Sequence, residues 1–166
     1  PPETARQVLG AALFGANKRS IISRKARLTY GTAVMSAYDP ADPEHRQRKS
    51  QISFTGGKLY LKTFKKYVER SQDLPVGTDK EHAFSPLTDA QENVTFDILV
   101  TKQCAADVQY VKDGSASTTL NTLVTVDVPV DMTSPFARRG MSMRLSFGGT
   151  ELGITCKRDS DGKEVK

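Results

Sequence analysis

The 166 residues, 37% hydrophobic and 26% charged, suffice for one domain with a sizeable core and are too apolar for a disordered chain. Lys and Arg number 24 against 19 Asp and Glu, a net charge of +5 that is spread along the chain, which admits nucleic acid as a partner without pointing to it. The two cysteines, Cys104 and Cys156, stand far apart without CxxC spacing, so neither a zinc site nor a disulfide framework is signalled.

The chain opens PPETARQVLGAALFG, where Ala5, Val8, Leu9, Ala12 and Leu13 fall at i, i+3, i+4, i+7 and i+8 between two prolines and Gly15. That spacing predicts one short amphipathic helix. Nothing in it resembles a signal peptide or a membrane-spanning run, so the chain reads as cytoplasmic, and a start at Pro1 without Met reads as excised from something longer. The basic stretch ANKRSIISRKAR that follows reads as a connector with room for one more helical turn.

From Leu28 onward the period changes from 3.6 to 2, with β-branched and aromatic enrichment in RLTYGTAVM, KLYLKTFKKYV, NVTFDILVTK, NTLVTVDVPV, SMRLSFG and TELGITCK. In the third of these Val94, Phe96, Ile98 and Val100 share one face and Thr95, Asp97 and Thr101 the other; Met141, Met143, Leu145 and Phe147 repeat the arrangement. One buried and one wetted face predict a mainly β chain, an antiparallel β-sandwich. Between the first two strands SAYDPADPEHRQRKSQ, residues 36–51, carries Pro40, Pro43 and a mixed-charge run, and reads as a long, mobile, solvated loop. Leu74 to Gly77, Ser85 to Leu87, Lys112 to Ser115 and Asp159 to Gly162 read as turns.

Chemistry is sparse. Thr55-Gly-Gly-Lys58 lacks the earlier glycine, the following Ser or Thr and the helix of a phosphate loop, and reads as a hairpin turn. His45 and His82 have no cysteine or carboxylate at metal-ligand spacing and read as solvated. No GxSxG elbow supports a Ser-His-Asp arrangement, so the chain reads as non-enzymatic. Asn93-Val-Thr95 fits a glycosylation acceptor that matters only in a secreted chain. Basic residues gather at Arg46, Arg48 and Lys49, at Lys62, Lys65 and Lys66, and at Arg138 and Arg139, with Tyr60, Phe64 and Tyr67 between the middle ones. Such interleaving can stack single-stranded nucleic acid; a strand with snorkelling lysines is the plainer reading.

Taken in order, the β segments resemble the substrate-binding β-sandwich of the 70-kDa heat-shock chaperones, the family that includes DnaK. LTYGTAVM resembles its first strand, HAFSPLTDAQ with NVTFDILVTK its third and fourth strands and their connecting loop, and MRLSFGGTELGITCKRDSDGKE the stretch that closes the domain. The ending GAALFG of the first helix, LTYGTAV and LSFGGTEL are nearest to the family's divergent branch, heat shock 70 kDa protein twelve.

The resemblance implies residues 1–26 as the tail of an actin-like ATPase domain plus connector, and 27–166 as the substrate-binding sandwich without its lid. It implies extended apolar segments of client proteins, and the upstream ATPase domain, as partners. It implies no cofactor in this stretch, with ATP left to a longer parent. The family's peptide-contacting positions fall on Thr32, Met35, Phe84, Leu87, Val94, Phe96 and Met143. By their pattern alone, Val94, Phe96 and Met143 read equally as sandwich core. Two rival readings stand beside this one: a basic β-domain binding nucleic acid or anionic lipid, and a structural interaction module.

Overall fold

The computed structural model describes residues 23–103, 109–111, 120–147 and 151–165. The helix expected over Ala5 to Leu13, Cys104, the turn at Lys112 to Ser115 and the Gly148-Gly149 pair lie outside the described residues. Among the described residues eleven strands run in chain order: β1 (Ser23–Lys25), β2 (Thr29–Ala37), β3 (Ser53–Thr55), β4 (Lys58–Val68), β5 (Asp73–Pro75), β6 (Asp79–Phe84), β7 (Asn93–Thr101), β8 (Asn121–Pro129), β9 (Met141–Ser146), β10 (Gly153–Arg158) and β11 (Glu164–Val165). They form a five-stranded sheet β3-β4-β2-β7-β8, a four-stranded sheet β11-β10-β9-β6 and a two-stranded ribbon β1-β5. All described pairs are antiparallel.

The core is where the two larger sheets face each other. Tyr67, Phe96, Ile98 and Val128 of one sheet meet Met141, Met143, Leu145 and Cys156 of the other. Period 2 is the cause: on each strand alternate side chains point inward, and the sandwich predicted from that alternation is the fold observed. The Tyr67 hydroxyl donates to the Met143 carbonyl at 3.3 Å across the interior. Burial, first of all, pushes the phenol of Tyr67 well above its usual range, and burial raises the Cys156 thiol to about 11. That thiol is un-ionised and unreactive at neutral pH.

Three buried threonines keep their hydroxyls bonded to backbone, as interior polar groups must. Thr29 Oγ1 donates to Gln103 O at 2.7 Å, Thr32 Oγ1 to Asp97 O at 2.9 Å, and Thr101 Oγ1 accepts from Gln103 N–H at 3.2 Å.

On the outer face of the five-stranded sheet Phe64 and Leu99 form a second, small cluster with Ala33, Val111 and Leu120 packed on it. Gly31 lies beneath the Phe64 ring, and a Cβ there would also come 2.7 Å from the Lys65 carbonyl oxygen. Because backbone as well as a buried ring would have to move, Gly31→Ala is expected to destabilise the chain by about 1–3 kcal/mol in urea unfolding.

Three stretches differ from expectation. The connector's Ser23–Lys25 is strand β1, paired with β5 and supported by Lys25 Nζ at 3.5 Å from Asp73 Oδ1, and Ala26 is buried in the core. Basic residues read as linker because their pairing partner lies some fifty positions away. The charged stretch 36–51, expected as a mobile loop, carries the helix α1 (Pro43–Gln47) and a single 3-10 turn (Lys49–Gln51). Asp42 caps α1 by accepting from Glu44 N–H at 2.8 Å, and Pro43 at the first position costs no hydrogen bond.

The third difference concerns the histidines, expected to be solvated. His45 stacks on Tyr38, its ring edge meets Tyr110, and its Nδ1 accepts from Asp39 N–H at 2.9 Å. His82 packs on Tyr67 with ring centroids 4.4 Å apart, and its Nε2 bonds the Lys66 carbonyl at 2.9 Å.

Candidate functional site

A hollow of about 700 Å³ lies beside the core. Its walls come from β2, β4, the start of β7, and the segment from Phe84 to Gln91 that joins the two sheets. Register explains the lining. Thr32 sits opposite Ile98 and Lys65, inside the core; the next residue on the same face of β2 is Val34, opposite Thr63, and it reaches the hollow.

Phe84 closes strand β6 and sets its ring edge-on to Phe96 of β7, centroids 4.9 Å apart at 63°. Phe96 is only 2% exposed and forms the floor. Phe84, Val94, Leu87 and Met35 are half-buried around it. The Lys65 ammonium stands 5.0 Å from the Phe84 ring centroid, a cation over a ring face at the rim. The hydroxyls of Ser36 and Thr63, 2.6 Å apart, supply the polar side of the wall.

The connecting segment is held by side chains that have nothing apolar about them. Gln91 Oε1 accepts from Leu87 N–H at 2.8 Å and its Nε2 donates to Asn93 O at 2.9 Å, folding the loop back on itself. Arg139, its side chain 9% exposed, donates to the Asp89 carbonyl at 2.6 Å, pairs with the Asp89 carboxylate at 2.8 Å, and donates to Ser134 O at 2.8 Å. The loop it comes from is itself knit by Asp131, whose carboxyl is held well below the usual range first by the Thr133 and Ser134 hydroxyls. The tip of the β3–β4 hairpin, with Gly56 and Gly57 at φ of 58° and 78°, meets the loop from the other side. A Cβ on Gly56 would lie 2.9 Å from Thr88 Cγ2.

Gln91→Ala is therefore expected to cost about 1 kcal/mol of stability and to speed hydrogen exchange at the Leu87 amide, which loses its acceptor. Exchange followed by NMR checks this.

No protein-family model matches the chain. It is 26% identical to human heat shock 70 kDa protein 12B over 165 residues, covering 95% of this chain and 23% of that protein. It is 25% identical to human heat shock 70 kDa protein 12A over 157 residues, covering 95% of this chain and 22% of that protein. The chain thus spans less than a quarter of the curated relatives it matches. These similarities support a distant relationship to the 70-kDa heat-shock proteins.

Of the seven positions drawn from the resemblance, Met35, Phe84, Leu87, Val94 and Phe96 line one hollow. Thr32 and Met143 do not: both are fully buried in the sandwich interior, Thr32 bonded to the Asp97 carbonyl and Met143 between β6 and β10. Val34 and Gln91 belong to the lining with no signal in the sequence, and Lys65, which reads from sequence only as one of a basic cluster, belongs to it too. Among the described residues no three His, Cys, Asp or Glu side chains are grouped to hold a metal, and no helix is long and apolar enough to cross a membrane.

Proposed function

We propose that the hollow around Phe84 holds extended apolar segments of other proteins without covalent chemistry, as the substrate-binding part of an atypical 70-kDa heat-shock chaperone. The observation that carries this reading is that Phe84, Leu87, Val94 and Met35 keep part of their apolar surface around an unfilled volume of about 700 Å³. A hollow of that size, walled by these apolar side chains and by the hydroxyls of Ser36 and Thr63, has room for more than one side chain of an unfolded segment together with its backbone. Seating one Leu or Ile there contributes about 1.5–3 kcal/mol, suited to weak and exchangeable binding. The distant relationship to heat-shock proteins supports the same class of work. The reading assigns binding alone to this stretch, leaves nucleotide chemistry to the remainder of a longer protein, and takes cytoplasmic client segments as partners.

Titration of a fluorescent Leu-rich peptide by anisotropy tests it. Affinity is expected to change less than about 3-fold between about 50 and 200 mM salt, because apolar burial is not screened. A single-stranded oligonucleotide bound through the lysines of β4 would lose about 10-fold or more over that range. Absence of peptide binding, or peptide affinity that collapses with salt, overturns the proposal.

A further inference from the structure

Among the described residues Lys65 is the one charged side chain in the wall of the hollow around Phe84. It lies on β4 opposite Thr32, whose side chain is fully buried, and directly opposed residues share a face of the sheet. A cation on an inward face is costly unless something partners it. Lys65 is half-buried, and its ammonium stands 5.0 Å from the Phe84 ring centroid, so a ring face supplies part of what a counter-charge would. Among the described residues no carboxylate pairs with it. The acids on neighbouring elements are occupied: Asp97 accepts from Thr125 Oγ1 at 2.8 Å, Asp127 accepts from Thr95 Oγ1 at 2.6 Å, and Asp89 pairs with Arg139 at 2.8 Å. The Ser36 and Thr63 hydroxyls bond each other and the Gln91 amide holds backbone at both its ends. Lys65 is the charged donor left to whatever enters.

We infer that Lys65 makes the hollow selective for apolar segments that carry an acidic side chain two residues from the one seated against Phe84. The inference rests on the peptide-binding reading and adds to it the chemistry of the guest. On an extended segment, side chains two residues apart project to the same side, about 7 Å from each other. A Leu or Ile packed on the Phe84 ring therefore carries its second neighbour to the region of the ammonium, which stands 5.0 Å from that ring. A Glu or Asp there exchanges water for a charge-assisted hydrogen bond in a setting half withdrawn from solvent, where such a bond is stronger than at an open surface. A Lys or Arg in the same place meets a like charge, so the site discriminates by repulsion as well as by attraction. The segments it takes are acidic and apolar, and segments that are basic and apolar are refused.

Fluorescent Leu-centred peptides that differ only in carrying Glu, Gln or Lys two residues before and after the central Leu, titrated against the full chain by anisotropy, test the selection. At about 50 mM salt the Glu peptide is expected to bind about 3- to 10-fold tighter than the Gln peptide, and the Lys peptide weaker than either. Lys65→Gln is expected to bring the Glu-to-Gln ratio to about 1 and Lys65→Glu to invert the order of the Glu and Lys peptides. Lys157→Gln, the same loss of charge on exposed β10, is expected to keep the ratio. Zero-length carbodiimide coupling of the Glu peptide to the wild-type chain, mapped by mass spectrometry, needs no variant to fold and is expected at Lys65. Equal affinities for the Glu and Gln peptides in the wild-type chain overturn the selection and leave the apolar reading standing, whereas a chain that binds none of the peptides overturns both. A ratio that survives in folded Lys65→Gln or falls in Lys157→Gln overturns the assignment to Lys65, and so does coupling that goes to Lys62 and Lys66 instead.

Discussion

Phe84→Asp is expected to weaken binding of a short Leu-rich peptide by about 10- to 150-fold, the equivalent of the 1.5–3 kcal/mol lost when one apolar side chain has no wall to bury against. The side chain sits at the end of β6, half-buried, with one edge on Phe96 and Lys65 over its face. A carboxylate there removes the apolar wall and draws the Lys65 ammonium inward, so the hollow becomes a place where an apolar guest would strand charge away from water. Phe84 is not among the fully buried residues, so the domain is expected to keep its circular dichroism and its cooperative melt. Phe84→Leu, which keeps the wall apolar, is expected to stay within about 3-fold of wild type. Unchanged affinity in folded Phe84→Asp would remove the hollow as the binding site.

That prediction leans on a part of the site that sequence made legible, and the reason is physical. Val94 and Phe96 announce themselves because β7 is long and alternates cleanly, which marks a face before any partner is known. Strands β3, β5 and β6 went unread as strands by pattern because they are short or charged and owe their pairing to residues distant in the chain. Helix α1 does leave a signal, Asp42 followed by Pro43 and Glu44, the pattern of a capped first turn, but with nothing apolar after it the proline and the charges read as loop. Gln91 and Arg139 leave no periodic trace at all, since they act on backbone carbonyls and amides whose positions only the fold fixes. Val34 is the instructive case: period 2 ties it to Thr32, yet Thr32 is fully buried and bonded to the Asp97 carbonyl while Val34 lines the hollow, a split that tertiary packing and not the strand's own pattern decides.

Met143→Ala is expected to cost about 2–5 kcal/mol of stability while leaving the peptide affinity of the folded fraction within about 2-fold of wild type. Met143 has no exposed surface; it lies on β9 opposite Cys156 on one side and His82 on the other, with its carbonyl accepting from Tyr67. Truncation there opens a cavity among side chains packed from both sheets, and the neighbours on paired strands collapse only in part. None of this reaches the hollow, whose floor at this depth is Phe96. Urea unfolding gives the stability, and peptide titration at a temperature well below the lowered melting point gives the affinity. Loss of affinity of about 10-fold or more with stability nearly intact would mean that Met143 meets the guest directly, as the family's pattern implies, and that the interior shifts to admit it. Core packing predicts the opposite split, because a methionine with every contact already made to its own molecule has no surface left to offer another.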